Sequence, residues 1–151
     1  MRLILDILTV TGLLFDGIGA LIIVTPDSEY LDNSIGRIFS RTRRGYNEFL
    51  RLEHEHYISI EDDEDSLPAF LVSVFDLECE PSDINQITKD GLGEDANLDI
   101  FWEGESSSGS YTTSYERAKD MVESARQRRY LRRGAGLLVV GFGLQIAATL
   151  L

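Results

Sequence analysis

Two histidines, His54 and His56, stand two residues apart in a stretch where apolar and polar residues alternate. On a strand this spacing sets both imidazoles on one face, where neutral ring nitrogens can share a metal ion. A third ligand is missing at any recognisable spacing, and Asp76 and Glu78 are expected to face away. The expected role of the pair is therefore structural, at a sheet face or a helix interface. The acidic run Glu61 to Asp65 lacks the glycine and terminal glutamate of a calcium-binding EF-hand loop and reads as a solvated turn. Cys79 has no base beside it and lies in an apolar segment, which is poor ground for a thiolate nucleophile. Gly91 and Gly93 lack the lysine and the spacing of a phosphate-binding loop. No nucleophile stands with a base, and the chain is expected not to be an enzyme, with no cofactor and no metal.

One chemically active residue remains, and its position is unusual. Asp16 lies in the middle of an apolar run from Leu3 to Val24. On insertion scales a central aspartate costs roughly 2.5 to 3.5 kcal/mol, whereas each Leu, Ile, Phe or Val favours insertion by about 0.3 to 0.6 kcal/mol. The many such residues between Leu3 and Val24 outweigh a single central carboxylate, so the run is expected to span a bilayer. It is too long for the apolar core of a signal peptide, one arginine precedes it, and no small-x-small cleavage site follows.

A second apolar run closes the sequence, from Ala135 to Leu151, with no charged side chain. Seventeen residues reach about 25 Å at helical rise, enough for a thin bilayer core. In an antiparallel pairing that sets Val24 level with Ala135, Asp16 falls near Gly143 and Gln145. Gln145 is then the expected donor to the Asp16 carboxyl. Gly12 and Gly19 recur at seven, as do Gly136 with Gly143 and Gly134 with Gly141, which allows close approach of the two backbones. The expected role of Asp16 is a hydrogen-bonded contact. A proton or ion path is the alternative, and it normally shows more polar residues at membrane depth than Gln145 and Thr149.

The chain carries 26 acidic residues against 14 basic ones, and 12 of the 14 are arginine. This composition resembles that of proteins from extreme halophiles, whose carboxylate-rich surfaces stay hydrated in concentrated salt. Between residues 53 and 105 there are 17 acids and one base, Lys89, which repels phosphate and excludes nucleic acid as a partner for this segment. A single cysteine permits no intramolecular disulfide and suits a reducing interior.

The arginines set the expected orientation. Eleven of the 14 bases lie within about twenty residues of the inner ends of the two apolar runs. Arg37, Arg41, Arg43 and Arg44 follow the first run, and Arg126, Arg128, Arg129, Arg132 and Arg133 precede the second. By the positive-inside rule the central segment is cytoplasmic, both termini lie outside, and these side chains meet lipid headgroups.

The intervening elements follow from periodicity. Residues 27–45 predict an amphipathic helix, lying on the membrane surface or packed on the soluble domain, with Leu31, Ile35, Ile38 and Phe39 on one stripe and Gly45 as its C′ residue. Residues 46–115 predict an acidic α+β domain: alternation from Leu50 to Ile60 predicts a strand, Ala69 to Cys79 a second, and Asn97 to Glu103 a third. Pro81 to Thr88 predicts a short helix, and Tyr111 to Thr113 a segment pairing back. Thr113 to Glu116 has the spacing of a capping box, opening a basic stalk at 116–134 that continues without a break into the apolar run 135–151 as one rod of about 35 residues.

The expected architecture is an α+β membrane protein: a two-helix hairpin with a small antiparallel-sheet cytoplasmic domain inserted between its spans. Its expected function is that of a membrane-anchored interaction or accessory protein. Its partners would be membrane lipid and either another protein or a second copy of itself. The alternative is a small oligomeric transport subunit working through Asp16.

Overall fold

The computed structural model describes residues 2–28, 31, 34, 40–60, 66–91, 95–105 and 108–150. Among these the chain is α+β, with four α-helices and one four-stranded antiparallel sheet. It divides into two compact units, one formed by Met1–Ile38 with Gln127–Leu151, the other by Phe39–Arg126. Most of the expected amphipathic helix, including Arg37, the acidic turn at 61–65 and the glycine at 93 lie outside the described residues, as does the side chain of Arg41.

In the first unit, α1 spans Arg2–Val24 and passes into a 3₁₀ turn at Thr25–Asp27. Pro26 stands at the start of that turn, where its missing amide hydrogen is no loss. The last helix, α4, runs from Tyr115 to Leu150 as one 36-residue element, and its C-terminal part belongs to this unit. Two helices, α1 with its turn and α4, are thus long and apolar enough to cross a membrane.

The second unit departs from the expected elements in three places. Residues 50–60 do not form a strand: α2 covers Ser40–Glu55, and only Tyr57–Ser59 remains extended, as β1. Thr42, Gly45, Phe49 and Leu52 are the buried positions, spaced at three and four as on a helix face. Gly45 is therefore not a helix stop but part of the packed face, where an added Cβ would come within 2.7 Å of the Phe70 Cβ. The helix ends instead at His56, which takes the left-handed conformation at φ 58°.

Residues 69–79 form no strand either. Residues 69–75 belong instead to α3, Ser66–Phe75, whose apolar side chains are buried around most of its circumference. A short, wholly apolar run has no period that separates buried helix from buried strand. Pro68 fits in its first turn, and Asp76 at φ 53° ends it, with the Leu77 amide donating to the Val72 carbonyl at 3.3 Å. The Ser66 hydroxyl donates to Glu48 on α2 at 3.3 Å.

The expected helix from Pro81 to Thr88 shrinks to a 3₁₀ turn at Pro81–Asp83, followed by strand β2, Ile84–Asp90. Its alternation is hidden by a register shift between Ile84 and Gln86, so that Ile84 and Ile87 are the buried residues. Strand β3 covers Asn97–Glu103 as expected, with Leu98 and Ile100 buried, and β4, Ser108–Ser114, pairs back along its whole length. The sheet order is β1-β2-β3-β4, every pair antiparallel. Its inner face carries Ile84, Ile87, Leu98 and Ile100, and the core is completed by Phe49 and Leu52 of α2, Phe70 and Leu71 of α3, and Tyr115, Ala118 and Val122 at the start of α4.

Candidate functional site

The first unit is organised by four glycines. Gly12 and Gly141 face each other, and a Cβ on either would lie 2.8 or 2.7 Å from the other's carbonyl oxygen. Gly19 and Gly134 do the same at 2.7 and 2.6 Å. Both contacts are reciprocal and seven residues apart on each helix, which is two turns, so α1 and α4 run antiparallel with their backbones touching at two levels. Gly136 and Gly143 do not take part, because nothing lies within 4 Å of where their Cβ atoms would be. They sit two residues from the contacting pair, about 200° around the helix, so equal spacing alone cannot distinguish the two sets.

Asp16 lies between the two glycine contacts. The structure brings it together with Gln145, whose Nε2 donates to Asp16 Oδ2 at 2.5 Å. The carboxyl rests against Gly141, and a Cβ there would strike Oδ1. That second oxygen is buried and has no hydrogen-bond partner among the described residues. Around this contact the outer surfaces are apolar: Leu3, Ile7, Leu13 and Leu14 of α1, with Val139 and Phe142 of α4, are more than half exposed.

The second unit gathers charged groups that the sequence reading left unassigned. The chain has two lysines, and the charges of both act on the Glu53 carboxyl. Lys89 Nζ sits 4.3 Å from the centre of the Tyr115 ring, whose other neighbour, Phe49, stacks on it at 5.6 Å. Lys119, one turn along α4, pairs with Glu53 at 2.6 Å. That hydrogen bond holds the Glu53 carboxyl below its ordinary range and raises the Lys119 ammonium above its own. Burial, then the Glu53 charge, pushes the Tyr115 hydroxyl up to about 12. Arg126 lies with its guanidinium carbon 4.4 Å from the centre of the Tyr46 ring. Lys89 and Lys119 stand 30 positions apart in sequence, and no local spacing joins them.

His54 lies in the last turn of α2 and His56 is the left-handed residue beyond it, so the two do not share a strand face. Among the described residues no group of three or more His, Cys, Asp or Glu side chains could hold a metal ion. Cys79 is half-buried, and burial with the nearby Asp83 charge raises its thiol, which disfavours the nucleophilic thiolate. Of the predicted headgroup residues, Arg43 and Arg44 fall on α2, and Arg126, Arg128, Arg129, Arg132 and Arg133 on α4. Compared with family models, curated proteins and solved structures, the chain matches none of them.

Proposed function

We propose that this chain is a non-enzymatic, membrane-anchored interaction or accessory protein, in which α1 and the C-terminal part of α4 form a two-span hairpin and the acidic α+β unit faces the cytoplasm. The observation that carries the reading is the pair of reciprocal glycine contacts inside an otherwise apolar exterior. Helices that bring backbones together through glycine and turn leucine, isoleucine and valine outward have the surface a lipid environment requires. Gly12, Asp16 and Gly19 also give α1 a lasting partner in α4, which supports a retained span rather than a removable leader. The orientation rests on the 11 bases beside the inner span ends.

A transport subunit is the competing reading, favoured by one atom, the unpartnered Asp16 Oδ1. The two readings separate on Asp16→Asn. The asparagine carbonyl still accepts from Gln145, so the anchored protein keeps its assembly and its melting behaviour in detergent within about 0.5 kcal/mol. Loss of a proton or cation flux in reconstituted vesicles, present in the unsubstituted protein and absent in the variant, would support transport instead.

A further inference from the structure

The sheet has one covered face and one open face. Its inner residues pack on α2, α3 and the start of α4, and the side chains that alternate with them point away. Strand register identifies the open face: Tyr57, Thr88, Asp99 and Thr112 form one row across the four strands, and Gln86, Phe101 and Ser110 lie in the next. Thr112 donates to the Asp99 carboxylate at 2.5 Å, which joins the two neighbours on that face.

This face is aromatic and acidic. Tyr57 is 49% exposed and Phe101 38% exposed. Asp99 and Glu103 stand two residues to either side of Phe101 on β3, on the same face and about 7 Å away along the strand. The single base on the four strands, Lys89, is turned to the other face, over the Tyr115 ring. A cation lying on the Phe101 ring therefore has two carboxylates within reach and meets no positive charge from these strands.

We propose that this face docks an arginine-bearing cytoplasmic loop of another membrane protein. Guanidinium is the cation that suits it, because its plane stacks on an aromatic ring while its edge pairs with carboxylates. The source of the loop rests on the anchoring and orientation proposed above. Lys and Arg concentrate in the cytoplasmic loops of membrane proteins, close to the span ends, where an acidic unit tethered to the same membrane meets them at high effective concentration. This chain's own basic clusters are poorer occupants: Arg126 is buried against the Tyr46 ring, and Arg43 and Arg129 are half-buried.

The test uses full-length protein in vesicles of zwitterionic lipid, with co-flotation recorded for every sample, and a dye-labelled peptide of arginines spaced by serines. Binding should weaken as salt rises. Asp99→Asn with Glu103→Gln should weaken it about fivefold, and Phe101→Thr, which keeps a strand-forming residue, about threefold. Glu116→Gln with Asp120→Asn removes the same charge from exposed positions of α4 and should leave binding unchanged, which separates this face from general acidity. All of these side chains point outward, and the thermal melt of each variant is compared with the parent's before binding is read. Equal losses from the two charge pairs, or no loss on Phe101→Thr, would overturn the site. For the source, Ser110→benzoyl-phenylalanine, across from Phe101 on β4, should crosslink in cells to a basic cytoplasmic segment of a different membrane protein. A crosslink to a second copy or to a soluble protein, or no crosslink, would overturn that source. Protein that floats but binds no peptide overturns the docking site alone, whereas protein that fails to float overturns the anchoring.

Discussion

Gly141→Leu is expected to force the two apolar helices apart. The first atom of the new side chain would occupy the space of Asp16 Oδ1 and lie 2.7 Å from the Gly12 carbonyl. Neither obstacle can swing away: one is backbone, and the other is held by Gln145. Overpacking of this kind costs about 1 to 3 kcal/mol, and an interhelical hydrogen bond in a membrane contributes about 0.6 kcal/mol more. Gly143→Leu adds the same side chain two residues along, where nothing lies within 4 Å, and should stay within about 0.5 kcal/mol of the parent. Unfolding of the full chain in mild detergent, followed by helix circular dichroism, compares the two. Equal effects at both positions would mean that α1 and α4 do not meet through Gly12 and Gly141.

Phe49→Ala should give the largest loss in the second unit. Phe49 is fully buried, lies one turn before the equally buried Leu52, and stacks on the Tyr115 ring at an interplanar angle of 11°. Removing a buried phenylalanine costs about 3 to 5 kcal/mol, a large share of the 5 to 15 kcal/mol typical of a whole domain. The same helix provides an internal contrast, because Leu52→Ala should be far more damaging than Leu50→Ala, Leu50 being half-buried. A strand through Leu50 and Leu52 would place both on one face and make the two losses alike. Thermal melting of the three variants decides between these outcomes.

That contrast marks where the sequence was misleading. Gly45 looked like a stop because glycine commonly closes helices, yet it is a contact point whose hydrogen allows Phe70 to approach. The run from Ala69 to Phe75 carried no period because nearly every side of α3 is buried, and the irregularity between Ile84 and Gln86 removed the alternation that would have marked β2. Where one face met solvent and the ladder was regular, as in Asn97–Glu103, the pattern was legible. The unbroken run of α4 from Tyr115 to Leu150 was legible in the lack of proline, whereas Thr113, the first residue of the capping spacing, lies in β4 opposite Leu98.

In the first unit, depth matching was enough to bring Asp16 to Gln145, because rise per residue fixes level. Rotation was not fixed by the same argument, so Gly134 and Gly141 could not be told from Gly136 and Gly143. The grouping of Lys89, Lys119, Glu53 and Tyr115 depends on tertiary folding alone, since strand, helix and helix supply its members.

The measurement that bears most directly on the anchored hairpin is cysteine accessibility in cells. Asn85 is exposed on β2, and Asn85→Cys in a Cys79→Ser background gives the acidic unit a single reactive thiol. With the protein in the membrane fraction, an impermeant maleimide should leave this thiol untouched in intact cells and label it after permeabilisation. Labelling in intact cells, or recovery of the protein in the soluble fraction, would contradict a cytoplasmic domain held by two spans.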